Sequence, residues 1–493
     1  MYAHLLSSLE KLAEHRVLCV GDVMLDRYIY GQVERISPEA PIPVLRIQRE
    51  AVTLGGAGNV VRNIAALGGH VDLIGVIGQD QAGYDIAKQI TSLPQVTSYL
   101  LTDSSRPTTL KTRYVADGQQ LLRADHEVSQ SISADMEKQV LLRLRGSIDS
   151  STVVILSDYA KGVLSDVVVK EAIKLAKEAN RIILIDPKGR DFSRYFGATM
   201  LTPNRRELAD ATLTSIRTVE DAEKAARQLI DRYELEGILA KLGSDGVCLV
   251  LKGKPAQHFH ATAREVYDVS GAGDTVVSTM ALALAGGLSS ADGAALANIA
   301  GSIVVGKIGT ATVTRDELAR ELVHDQTRQS EQKIVSLAEA TETAERWRKQ
   351  GLKVGFTNGV FDLLHPGHLS LLRQARAACD RLIIGLNSDV SVKRLKGENR
   401  PIQNENARAA VLASLTDIDQ VVIFSEDTPL TLIKAIRPSV LVKGADYKMD
   451  QVVGGDIVQS WGGQVILANL VEGQSTTATI AKLQTPKKAS GAA

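Results

Sequence analysis

From Arg16 onward the chain alternates short apolar, β-branched runs with segments of helical periodicity. The runs include RVLCVGD, VDLIGVIG, TVVILSD, RIILIDP and GILAKLG, and the periodicity predicts helices over 58–68, 164–180 and 219–232. Continuous apolar strands separated by helices indicate a mainly parallel sheet covered on both faces. Two stretches break the rhythm, 28–50 and 106–125. Their partly alternating pattern with turns suits an exposed lid or interface better than a central sheet. The uncharged run Thr275–Ala291 is too short and too rich in hydroxyls for a membrane span of about 20 residues. A buried helix is expected there.

A polar, charged stretch without large apolar side chains, HDQTRQSEQK, then changes the composition. The expected organisation is a first domain over 1–323, a linker over 324–334, a second, smaller domain over 335–482 and a disordered tail over 483–493. The second domain starts with a helical stretch at 335–350. Its strands are expected at KVGFTNG, RLIIGLN, QVVIFS, VLVKG and QVILA. The fold class is α/β twice over.

The length of 493 residues fits two or three folding units at about 150 residues each. Lys+Arg and Asp+Glu both total 57, so no single-sign field is available to hold polyanions, which argues against nucleic-acid or membrane-surface binding. Cys19, Cys248 and Cys379 are far apart and form no metal clip or disulfide ladder, which fits a reducing cytoplasm. The N-terminal segment carries acidic residues and does not read as a signal peptide.

Candidate chemistry concentrates in two places. In DVSGAGDTVVS, Gly271, Ala272 and Gly273 let backbone N–H groups converge at a helix start, an arrangement that binds anions. Asp274 at that terminus is placed to take a proton from a hydroxyl attacking a γ-phosphate. A capped helix after a glycine turn has the same local pattern. Other segments point the same way. GGAGN offers Gly55, Gly56 and Asn59, and CVGDVMLD puts Asp22 and Asp26 beyond the first strand, where ligands bind in open α/β sheets. TPNRRE brings Asn204, Arg205, Arg206 and Glu207, of which Asn204 and Glu207 suit Mg²⁺ through water. KLGSDG supplies Gly243 and Gly246 for close approach of a nucleotide. Lys111, Arg113, Lys161 and Lys188 at lid or strand-end positions suggest an acceptor that itself carries a phosphate.

The second place is GFTNGVFDLLHPGHLSLLRQA. His365 and His368 share a face of a helical first turn, Pro366 suits a helix start, and Gly367 permits close backbone approach. Two imidazoles beside free N–H groups can neutralise charge on an α-phosphate and on leaving pyrophosphate. Zinc is a weaker rival, since no third ligand follows at suggestive spacing.

Over roughly 10–320 the chain resembles the ribokinase-like carbohydrate kinases, through GGAGN and D-x-x-GAGD. The resemblance implies Asp274 as catalytic base, 271–274 as anion hole, and Asn204 and Glu207 in a magnesium–nucleotide element. It also implies a sugar face at Asp22, Gly56 and Asn59, and a β-lid that mediates dimerisation. Over about 351–482 the chain resembles the cytidylyltransferase-like nucleotidyltransferases, marked by H-x-G-H, with a Rossmann-like fold. That resemblance implies a nucleotide site including Asn358, Gly359, Phe361, Asp362, Lys396, Arg400, Lys443, Ser475, Thr476 and Thr477.

The order of the two parts, with RISPEAPIPV, SDYAKGVL, DPKG and EGQSTTAT, resembles the family of bifunctional heptose 7-phosphate kinase/heptose 1-phosphate adenylyltransferases. It implies ATP at both sites, Mg²⁺, ADP-heptose for lipopolysaccharide core, and a cytoplasmic homodimer joined through the kinase lid. Val360 departs from the cysteine many relatives carry there. The alternative is another sugar or polyol kinase fused to a CTP-dependent cytidylyltransferase; a polyol or riboflavin-type kinase joined to CTP or flavin-nucleotide transfer would share the second motif but lack the paired sugar-kinase motifs. An inactive sugar-phosphate sensor would have lost Asp274 or the histidines.

Overall fold

The computed structural model describes residues 3–261, 266–307, 309–444 and 448–469. The chain divides into two compact units, Met1–Val323 and His324–Ala493. The helix Arg315–Glu331 runs through most of the stretch expected as a linker. The tail expected to be disordered lies outside the described residues.

In the first unit a nine-stranded sheet forms among the described residues. From one edge its strands run Gln257–Phe259, Val247–Leu251, Gly237–Lys241, Met200–Leu201, Ile182–Asp186, Val153–Ser157, Arg16–Gly21, His70–Ile77 and Val96–Thr102. All pairings are parallel except those of Val247–Leu251, which pairs antiparallel with both neighbours. The central strands are buried along their length because helices cover both faces, which explains their unbroken apolar runs. The helices Ala57–Ala66, Asp166–Glu178 and Val219–Tyr233 lie within one to two residues of the predicted spans. Ser165 and Thr218 cap the latter two by accepting backbone N–H groups of Val168 and Asp221.

The uncharged run 275–291 is not one helix. The helix Ala272–Ala285 stops at Gly286 and Gly287, the latter at φ +75°, and a second buried helix, Ser290–Val304, starts behind the Ser289 cap. Two glycines in succession supply the left-handed turn that a single long helix cannot accommodate.

The two interrupting stretches form a separate four-stranded sheet from Val23–Ile36, Pro43–Gly56, Thr109–Ala116 and Gln119–His126. Val23–Ile36 pairs antiparallel with Pro43–Gly56 and parallel with Thr109–Ala116. The stretches therefore pair with each other inside one chain. At the root of this sheet Asp22 joins the main-sheet strand Arg16–Gly21 to Val23–Ile36, and Pro43–Gly56 runs straight into the helix Ala57–Ala66.

Among the described residues the second unit carries a five-stranded, all-parallel sheet in the order Gln420–Phe424, Arg381–Asn387, Val354–Gly359, Val440–Gly444 and Gln464–Ala468. The first strand in sequence sits at the centre and the chain winds outward to both sides. That creates a switch point at its carboxyl end, where doubly wound folds bind ligands. Asn358 and Gly359 end this strand, and the helix Pro366–Ala377 follows. No described helix is long and apolar enough to cross a membrane.

Candidate active sites

In the first unit Asp274 lies in the first turn of the helix Ala272–Ala285, 4% exposed. Gly271 at φ +79° turns the chain into that helix, and a Cβ there would press within 2.7 Å of Asn59 Nδ2. Only glycine serves both demands. The Asp274 carboxylate accepts from Asn59 Nδ2 at 2.8 Å and from the Tyr159 hydroxyl at 2.7 Å. Burial pushes its pKa up to about 7, against the pull of those two donors and of Lys241, with Asp186 adding to the rise. A base poised near neutrality beside a helix N-terminus is suited to proton removal during phosphoryl transfer.

Lys241 ends the strand Gly237–Lys241 and reaches Asp186 Oδ1 at 2.5 Å. Its Nζ lies beside Gly273, where an added Cβ would meet it at 3.3 Å. The ammonium therefore stands beside the helix start where Gly271, Ala272 and Gly273 are expected to form an anion hole, and there the Ala272 N–H donates to the Val269 carbonyl at 3.3 Å. Tyr159, Lys241 and Asp186 were all missed from sequence, although each lies in a motif quoted for a neighbour: SDYAKGVL, KLGSDG and IDPKG.

The residues expected on the sugar side have these places. Asp22 is buried, and its carboxylate accepts backbone N–H groups of Tyr159 (3.0 Å), Lys161 (2.9 Å) and Val163 (3.0 Å). Asp26 pairs with Arg113 at 2.5 Å. Gly55 backs directly onto the Asp26 carboxylate, and Gly56, at φ +56°, onto the Asp22 carbonyl. Asn59 donates to the Asp274 carboxylate. The basic groups are all engaged: Lys111 and Lys161 share Glu127 at 2.8 and 2.7 Å, and Lys188 holds Glu207 at 3.0 Å. Glu127, which joins the two lysines, is a residue without a sequence signal of its own.

Asn204 and Glu207 form a capping box on the helix Arg205–Thr212, each side chain accepting the other's backbone N–H at 2.9 Å. With Lys188 on the remaining Glu207 oxygen, neither side chain offers a bare oxygen for direct coordination. Among the described residues no group of three His, Cys, Asp or Glu is arranged to hold a metal. The donor set fits a magnesium ion that arrives on the nucleotide phosphates and meets these oxygens through water. Arg205 binds Asp245 and the Leu242 carbonyl, which ties the Gly243–Gly246 turn to this helix, whereas Arg206 points to solvent. Gly243 and Gly246 have φ of +67° and +85°.

In the second unit His365 is the N-cap of Pro366–Ala377 and His368 lies one turn in. Their rings stack at 3.9 Å and 28°, and Phe361 packs 5.3 Å from His368. Burial lowers the pKa of His365, and burial together with His365 lowers that of His368 to about 4. Both rings are neutral at pH 7. Each Nδ1 is buried without a hydrogen-bond partner among the described residues.

Asp362 accepts Arg400 Nε at 2.6 Å and the backbone N–H groups of Ile402 and Gln403. Burial alone would raise its pKa, but these three donors outweigh it and hold the carboxyl below its ordinary value. Asp362 thus anchors the loop that bears Arg400. Lys443 donates to the Asn358 carbonyl at 3.1 Å, beside Gly359, and brings a cation to the switch point. Lys396 ends the helix Asp389–Lys396 in an exposed position. Ser475, Thr476 and Thr477 lie outside the described residues. Sequence reasoning missed Arg408, whose buried guanidinium donates to Val360, Asn387, Gln403 and Asp389 and locks the loops around the switch point.

Residues 14–317 match the pfkB family carbohydrate kinases, and residues 356–484 match the cytidylyltransferase-like family. The bifunctional protein HldE of Paramagnetospirillum magneticum is 52% identical over 97% of this chain and 98% of its own. That of Caulobacter vibrioides is 52% identical over 95% and 96%. Among solved structures, Arabidopsis thaliana ribokinase complexed with ribose and ATP aligns with a TM-score of 0.51 at 22% identity, over 62% of this chain and 98% of its own. Escherichia coli phosphofructokinase-2 in complex with potassium gives 0.54 at 20%, over 63% and 99%. The structural likenesses show the fold of the first unit.

Proposed function

The chain belongs to the family of bifunctional HldE proteins, a pfkB-type carbohydrate kinase followed by a cytidylyltransferase-like adenylyltransferase, and from that premise we propose how its two sites divide the work. The first unit phosphorylates D-glycero-β-D-manno-heptose 7-phosphate at C1 with ATP. The second transfers AMP from ATP to the heptose 1-phosphate, yielding ADP-heptose for lipopolysaccharide core synthesis.

The observation that carries the kinase assignment is the buried Asp274, held by Asn59 and Tyr159 at the mouth of the glycine-lined helix terminus. Asp274 takes the proton of the C1 hydroxyl as the oxygen attacks the γ-phosphorus. Backbone N–H groups of 271–273 and Lys241 receive the charge that develops on the transferring group. Asn204 and Glu207 would hold, through water, a Mg²⁺ carried on the nucleotide, which would supply neutralisation of phosphate charge. Lys111 and Lys161, now on Glu127, are the groups that recognise the 7-phosphate.

In the second unit the nucleophile is a sugar phosphate, already ionised, so no base is required. Neutral His365 and His368 donate hydrogen bonds to phosphate oxygens, joined by Lys443 and Arg400. The homodimer uses the lid sheet, which exposes Ile36, Ile42, Ile47 and Leu122 at 62%, 57%, 52% and 59%. The cytoplasm, where ATP and sugar phosphates occur, is the compartment, in keeping with three cysteines outside any disulfide.

Purified protein incubated with heptose 7-phosphate, ATP and Mg²⁺, with products read by mass spectrometry, tests the reading. ADP-heptose is expected. A product carrying CMP when CTP competes equally would overturn the choice of nucleotide.

A further inference from the structure

Two buried carboxylates of the kinase site, Asp22 and Asp274, are linked through one loop. Asp22 accepts three backbone N–H groups of 159–163. The same loop carries the Tyr159 hydroxyl onto Asp274 Oδ1 at 2.7 Å. On its other side Asp158 accepts from the Tyr195 hydroxyl at 2.7 Å, and Ala160 takes φ +54° to complete the turn. A loop fixed at both sides has little freedom to move its phenol.

We infer that Tyr159 is a positioning residue for the base Asp274, and that Asp22 acts through it by clamping the loop that presents the phenol. The inference builds on the kinase reading above, and it gives Asp22 a part other than direct sugar contact.

The groups facing Asp274 come from five elements. Asn59 comes from the helix Ala57–Ala66, Tyr159 from the loop, and Cys19 from Arg16–Gly21, while Asp186 and Lys241 come from the ends of Ile182–Asp186 and Gly237–Lys241. Asp186 and Lys241 are paired with each other, so much of their charge cancels at a distance. The direct hydrogen bonds are those of Asn59 and Tyr159, one to each oxygen. Burial and the neighbouring Asp274 push the ionisation of Tyr159 well above the ordinary phenol value, so it stays protonated and acts as donor. A donor to the ionised carboxylate favours the charged form against burial, and it also fixes the rotation of the group. The phenol keeps its proton throughout; the substrate proton goes to Asp274.

The test is a titration of the Asp274 carboxyl in the full-length protein by ¹³C NMR with labelled aspartate, assigned with Asp274→Asn. Tyr159→Phe should move the midpoint up by about one pH unit. The acid limb of kinase kcat/KM should move with it, giving a roughly tenfold loss at pH 6 that shrinks above pH 8. Asp22→Asn should shift the same limb in the same direction with the Asn59 contact intact, and it serves in place of Tyr159→Phe if that variant does not fold. An unmoved midpoint, or a loss uniform across pH, overturns the inference. If the midpoint moves but the wild type fails to phosphorylate heptose 7-phosphate, the hold on Asp274 stands and the kinase reading falls.

Discussion

The imidazoles of His365 and His368 stack face to face, 3.9 Å between centroids, on the first turn of the helix Pro366–Ala377. Two cations could not share that spacing in a half-buried site, so both rings stay neutral and act as hydrogen-bond donors. His368→Ala should therefore lower adenylyl transfer from supplied heptose 1-phosphate by ~10²–10³, the usual scale for removing a donor that acts on transition-state charge. Kinase activity of the same variant should remain near normal. Steady-state rates of each half-reaction check both statements.

The depressed histidine pKa also has a sign in stability. Between about pH 4 and 6.5 the unfolded chain binds a proton on His368 that the folded chain refuses, so the second unit loses stability as pH falls through that window. His368→Gln should flatten this dependence. Thermal melts at pH 5 and pH 7.5 would show it, and an equal loss in both proteins would count against it.

Asp274→Asn keeps the shape but removes the base. C1 phosphorylation should drop by ~10²–10⁴ or more while adenylyl transfer persists. Mixing this variant with His368→Ala should restore ADP-heptose synthesis from heptose 7-phosphate, since the intermediate diffuses between molecules. A mixture that stays inactive while each half-reaction works would show that the intermediate does not exchange.

Asp274 has a raised pKa, so the folded state keeps a proton between about pH 4 and 7 that the unfolded state gives up. Its contribution to stability is present below about pH 4 and lost as pH rises through 7. Asp274→Asn should then melt higher than the wild type at pH 8, with the difference gone near pH 4. Wild-type kinase kcat/KM should fall as pH drops through about 7.

Among the described residues Arg408 is the largest fully buried side chain. Arg408→Ala strands the Val360, Asn387 and Gln403 carbonyls and the Asp389 carboxylate. The Asp389 side chain is 31% exposed and can take up water, so a cost of about 1–3 kcal/mol is expected, the range for leaving a buried polar group unsatisfied. Denaturant unfolding of the full chain should show the transition of the second unit moving while that of the first stays put.

On the lid, Ile47→Glu places a charge on an exposed apolar face of the strand Pro43–Gly56. Sedimentation should show the wild type as a dimer and the variant shifted toward monomer. A wild type that is monomeric at micromolar concentration would remove the lid interface.

Much of this protein was legible along the chain because its determinants are local. Strand runs in a doubly covered sheet must be apolar throughout. Glycines at helix starts mark where backbone N–H groups gather, and GAGD and HPGH each stand at such a start, of the helices Ala272–Ala285 and Pro366–Ala377. The glycine pair Gly286–Gly287 marks its turn in the sequence too, although the absence of charge across 275–291 suggests one continuous helix.

Tertiary structure alone decided what those residues touch. Asn59 and Asp274 are 215 positions apart, and Tyr159 and Asp274 are 115, so no periodicity connects them. Their meeting depends on the sheet order that sets Arg16–Gly21 beside Val153–Ser157 and packs the helix Ala272–Ala285 against them. The same holds for Lys111 and Lys161, which a charge count treats as free cations and the fold places on Glu127. The identity of a motif is written in neighbouring residues. The protonation state of its acid or base is set by burial and by donors from distant strands, and only the folded chain brings those together.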